Sequence, residues 1–169
     1  MIFGSTAFVL FHTALSLIAI LTGLVVVRGL IRNDPLNGWT LWFLITTVAT
    51  TLTGFLFPFN GFTPAIGTGI VSTLVLAATI PARYSFHFAG QWRRVYVIGA
   101  VISLWLNCFV LVVQAFLKVP ALHALAPEGK EPPFAIAQAI VLILAVVSGF
   151  LAVRRFRPGE KGTFLISGA

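Results

Sequence analysis

Four polar side chains share one depth in an otherwise apolar chain: His12, Thr53, Gln114 and Gln138. Counted at about 1.5 Å per residue from the ends of their apolar segments, each lies roughly 6 to 10 Å below one surface, on its segment's inner face. Asn107 sits deeper, near mid-segment, where a carboxamide must find a partner. Above them hangs KVPALHALAPEGKEPP (Lys118 to Pro133), a loop stiffened by four prolines that adds Lys118, His123, Glu128 and Glu131.

Two kinds of chemistry fit this set. Amides, a hydroxyl and an imidazole at one level can bond to one another and fix the helices that carry them. The same groups can line a small-molecule site that opens outward. A quinone carbonyl would accept from His12 or Gln114, and a heme iron or copper ion would take His12 with His123. His87, the third of three histidines, belongs to the opposite side and is out of reach of the other two.

Other reactions lack their groups. No Asp or Glu falls inside an apolar segment, so a carboxylate proton relay has nothing to run on. HExxH, a phosphate-binding loop and a nucleophile elbow are all absent from the sequence. The single cysteine, Cys108, excludes an internal disulfide and lies at mid-segment with no basic activator beside it, so it reads as an apolar filler.

The elements that must position these groups follow from composition. Hydrophobic residues make up 59% of the 169, charged residues 9%, and the mean hydropathy is +1.03. A soluble domain of that size has too little interior for so much apolar surface, whereas a bilayer demands it. Crossing the hydrocarbon takes about 20 apolar residues. Five segments qualify: 5–27, 39–57, 64–82, 95–117 and 134–153. The first lacks a basic leader and a cleavage site, so it is expected to remain as a helix. The expectation is an all-α membrane bundle of five transmembrane helices with no separate domain.

Charge orients the bundle. Arg28, Arg32, Arg83, Arg93, Arg94, Arg154, Arg155, Arg157 and Lys161 lie on one side, against Lys118 and Lys130 on the other. This bias places the N-terminus outside and the C-terminus inside. It also accounts for the +7 net charge without a nucleic-acid partner, since the arginines flank helix ends and meet lipid headgroups. The linker ARYSFHFAGQWRR (Ala82 to Arg94) mixes aromatic and basic residues, as an interfacial segment does.

Within the second segment, Thr40, Thr46, Thr47, Thr50, Thr51 and Thr53 fall within one half of the helix. Thr46, Thr50 and Gly54 then form a small-residue ridge, as do Ala65, Gly69, Thr73 and Ala77 in the third segment. Ser5, His12, Ser16, Ala19 and Gly23 share a face of the first, and Gln138, Ala145 and Gly149 a face of the fifth. In the fourth, Tyr96, Gly99, Ser103, Asn107, Gln114 and Lys118 form a stripe, with Trp105, Phe109, Val112 and Phe116 facing away. Such ridges suit packing within the chain, against a second copy or against a partner membrane subunit.

The stretches TTVATTLTGFLFPF (Thr46 to Phe59), LNCFVLVVQAFLKVPALHALAP (Leu106 to Pro127) and EPPF (Glu131 to Phe134) resemble a group of uncharacterised small multi-span bacterial inner-membrane proteins. The resemblance implies a bacterial multi-pass protein and brings no activity with it. The functional expectation is a non-enzymatic accessory or binding protein. The alternative is a membrane redox protein holding heme, copper or quinone at the outward cluster.

Overall fold

A computed structural model describes residues 6–58 and 64–159 of the chain. They form six helices and, among the described residues, no strand. The helices are α1 (Thr6–Ile31), α2 (Asn37–Phe55), α3 (Pro64–Tyr84), α4 (Trp92–Lys118), α5 (Pro120–Leu125) and α6 (Pro132–Arg155). The long helices α1, α2, α3, α4 and α6 alternate in direction, so two ends can be distinguished. One carries Arg28, Arg83, Arg93 and Arg154; the other carries His12, Thr53, Lys118 and α5.

Local sequence explains the boundaries. At the α1–α2 turn Asp34 donates its backbone N–H to Gly29 O at 2.9 Å, and its side chain accepts the Leu36 N–H at 3.2 Å. A Cβ on Gly29 would stand 2.8 Å from the Asp34 carbonyl, so glycine is what lets the turn close this tightly. Pro120 opens α5 and Pro132 opens α6, positions where the missing N–H costs nothing. The Lys118 to Pro133 segment, expected as an irregular loop, thus contains one short helix. Pro120 presets its first turn.

Helix α4 is the hub, packing on α1, α3, α5 and α6, while α2 packs on α1 and α3. The core it organises lies toward the arginine end, where Val26, Leu30, Phe43, Tyr96, Val97 and Phe156 are fully buried. On the outside the order is reversed relative to a soluble protein: Leu10, Leu21, Leu74, Ile136, Ile143 and Phe150 are all exposed. Helix α6 is the extreme case, with Ala152 its sole buried residue.

Among the described residues four helices are long and apolar enough to cross a membrane: α1, α3 over Ala65–Tyr84, α4 and α6. Helix α2, the second of the five expected spans, has 19 residues but falls short in hydropathy, because its threonines and the Asn37–Gly38 start dilute its apolar residues.

Two expected faces also turn out differently. On α3, Ser72, Leu76, Thr79 and Arg83 point inward, while Thr73 and Ala77 of the anticipated ridge are exposed. On α4, Phe116 does not face away: it is buried in an edge-to-face contact with Phe134 at 5.4 Å, because α6 covers that side of the helix.

Candidate functional site

The polar residues gather at two levels. At the histidine end, His12 of α1 meets Thr53 of α2, with Nδ1 2.8 Å from Oγ1. Thr53 donates its own proton to Ala49 O at 2.7 Å, as a helical threonine readily does. A hydroxyl that has spent its proton can only accept, so His12 Nδ1 is the donor. In the neutral ring this leaves Nε2 with its lone pair free. The Phe57 ring holds the imidazole edge-on at 5.0 Å, and Gly54 leaves room beside it, with His12 Cε1 3.7 Å from where a Cβ would be.

That tautomer decides what His12 can do. Nε2 can ligate a metal or accept from a hydroxyl, whereas donation to a quinone carbonyl would require a protonated ring. Lys118 lies within electrostatic range of His12. His123 is exposed on α5, which packs on α4, and no hydrogen bond joins it to His12. Among the described residues no group of three or more His, Cys, Asp or Glu is arranged to hold a metal ion.

The other expected members point elsewhere. Gln138 donates from Nε2 to the Phe109 carbonyl at 3.2 Å, joining α6 to α4, and its buried Oε1 has no partner. Asn107 reaches Thr47 Oγ1 at 3.5 Å, joining α4 to α2. Gln114 is half-buried on α4, and Lys118 is exposed at its end. The depth-matched set therefore divides into an α1–α2 pair and an α4–α6 contact. One further interhelical bond was not foreseen: Thr51 donates to Thr47 O and accepts from Ser72 Oγ at 2.9 Å, tying α2 to α3.

Outside the helices, the Glu131 carboxylate closes the α5–α6 loop. It accepts the Glu128 N–H at 3.0 Å and the Lys130 N–H at 2.9 Å. The Glu128 amide above all, with its neighbours, holds this carboxyl below the usual carboxylate range.

The second level, at the arginine end, centres on a residue that the charge pattern marks only as a topology signal. Arg83 is 6% exposed. It donates to Tyr96 Oη at 3.0 Å, to Asn37 Oδ1 at 2.6 Å and to Pro35 O at 3.5 Å. The rings of Tyr84, Phe88 and Tyr96 surround it at 5.3 to 5.6 Å. Every hydrogen-bond partner is neutral, so the charge is held by dipoles and π faces. Arg93 does a related task, donating to the Val153 and Phe156 carbonyls at the C-terminus of α6. The readable signal for Arg83 was its spacing: 72, 76, 79 and 83 recur as one helical face.

The fold and these sites define an all-helical, membrane-type bundle whose buried polar groups tie helix to helix. No protein family, curated protein or solved structure matches the chain.

Proposed function

We propose that this chain is a multi-pass protein of the bacterial inner membrane, crossing five times with its N-terminus outside and C-terminus inside, and that it acts as a non-enzymatic accessory or binding protein. Helix α2 supports the fifth crossing. It runs beside α1 and α3 over their depth, from Asn37 against Arg83 to Thr53 against His12, and the hydroxyls of Thr46, Thr51 and Thr53 are satisfied by carbonyls one turn back. The orientation rests on the gathering of arginines at the end that holds the C-terminus of α6.

One observation carries the accessory reading: polar side chains tie helix to helix, in His12–Thr53, Thr51–Ser72, Asn107–Thr47 and Gln138–Phe109, while the apolar face of α6 stays uncovered. That face is available to lipid, a second copy or a partner membrane subunit. The redox reading is favoured by one feature, the unengaged Nε2 of His12.

Spectra of detergent-purified protein, as isolated and after reduction, with metal and quinone analysis, separate the two. The accessory reading expects no bound cofactor, and His12→Ala to lower the thermal unfolding midpoint without a spectral change. A reducible band or bound copper that disappears in His12→Ala would overturn it. A reporter fused after Ala169 that is active only in the periplasm would overturn the orientation.

A further inference from the structure

Between α1, α4 and α6 runs a groove of about 350 Å³, lined mainly by apolar side chains including Leu24, Trp105 and Cys108. Arg28 and Arg32 stand at one end of it, both exposed, with no acidic residue among the lining. Neither guanidinium is bonded to another side chain among the described residues. In the groove wall, the indole N–H of Trp105 is buried without a partner. An apolar slot with two free cations at its mouth and an unused donor in its wall is complementary to an amphiphile.

We infer that this groove binds one anionic phospholipid from the leaflet at the arginine end, with an acyl chain along α1, α4 and α6 and its phosphate on Arg28 and Arg32. The dimensions agree. From Arg32 to Leu24 the groove follows eight residues of α1, about 12 Å at 1.5 Å per residue, close to one leaflet's half of the ~30 Å hydrocarbon core. A second copy of the chain fits less well. A two-fold contact here would bring like arginines together. The inference rests on the membrane reading.

The test uses the full chain extracted into mild detergent from bilayers of mixed phosphatidylglycerol and phosphatidylcholine, with retained lipid counted by native mass spectrometry. The parent should keep one phosphatidylglycerol per chain in preference to phosphatidylcholine. Arg28→Gln with Arg32→Gln should reduce that preference about 30-fold, at roughly 5-fold for each basic residue near a phosphate. Arg94→Gln with Arg155→Gln, equal in charge but outside the groove, should leave it intact. Ala145→Phe, which fills the groove, should lower retention with both arginines present. Glycerol phosphate, a headgroup without a chain, should not displace the lipid.

Equal retention of both lipids by the parent, or equal loss in the two double variants, would overturn the site. The Arg28 and Arg32 side chains are exposed, so their double variant folds independently of how the groove-filling change fares. Fractionation in parallel keeps the two readings apart. A chain recovered without any bilayer fails the membrane reading itself, and a membrane-integrated chain without headgroup preference fails this inference alone.

Discussion

Gly99→Ala tests the register of α3 against α4, on which the arginine-end site depends. A Cβ at Gly99 would fall on top of Thr79 Oγ1, and it would also stand 3.1 Å from Thr79 Cβ and 3.4 Å from Cγ2. Thr79 is fully buried, and its hydroxyl is committed to Val75 O at 2.7 Å, so the side chain has little freedom to turn away. The helices must separate instead. Overpacking of this kind costs about 1–3 kcal/mol. One turn further along the same interface is the 3.0 Å bond from Arg83 to Tyr96. Losing it adds about 1.5–3 kcal/mol, as for a hydrogen bond to a charged group. The higher helix propensity of Ala over Gly returns about 1 kcal/mol. The net is a destabilisation of about 1.5–5 kcal/mol, which should lower the thermal unfolding midpoint by about 3–20 °C. Thr79→Ala removes Oγ1 and Cγ2 and leaves only Cβ in close approach, so the double variant should recover at least about 1 kcal/mol relative to additivity. A Gly99→Ala protein as stable as the parent, or a double-mutant cycle with no coupling, would refute the packing on which this reasoning stands.

Arg83→Lys keeps the charge but replaces a planar fork that spans α2 and α4 with a single ammonium. It should cost about 2 kcal/mol of stability, from at least one charge-assisted bond lost. Asn37→Ala should be strongly non-additive with it in unfolding measurements, because both remove the same contact. At the other end, the pH response should come from the α5–α6 loop. The depressed Glu131 carboxyl contributes order that is present above its unfolded value and lost as pH falls through its folded one, below the usual carboxylate range. Protection of the Glu128 and Lys130 amides against hydrogen exchange should therefore fall in acid in the parent. It should be low and pH-independent in Glu131→Gln.

The class of structure was legible in the sequence because hydropathy and span length are properties of each segment taken alone. So was the shared depth of His12 and Thr53, since depth along a helix follows from counting residues; that the two meet each other is seen only in the structure. Rotation about the helix axis was harder. A wheel shows which residues share a face but not which neighbour that face meets. Hence Gln138 turned to a carbonyl of α4 and Phe116 to Phe134. The small residues of α3 looked like a contact ridge, yet the face that packs is the one bearing Ser72, Leu76, Thr79 and Arg83. Small side chains permit close approach without compelling it, whereas a guanidinium in an apolar end must find acceptors.

The two ends therefore differ in physical character. At the arginine end Tyr96, Phe43, Phe156 and Leu30 are fully buried, and Arg83 and Arg93 tie α2, α3, α4 and α6 through neutral acceptors. Breaking any one contact there strands a buried donor or a helix terminus, so that end resists local opening. Among the described residues at the histidine end, Phe116 is the large side chain that is buried, and His12 and Thr53 hold an interhelical bond beside exposed Gly54. A ligand or partner that must displace side chains to bind meets strong resistance at the arginine end, which can serve as the rigid support against which a change elsewhere in the bundle is made.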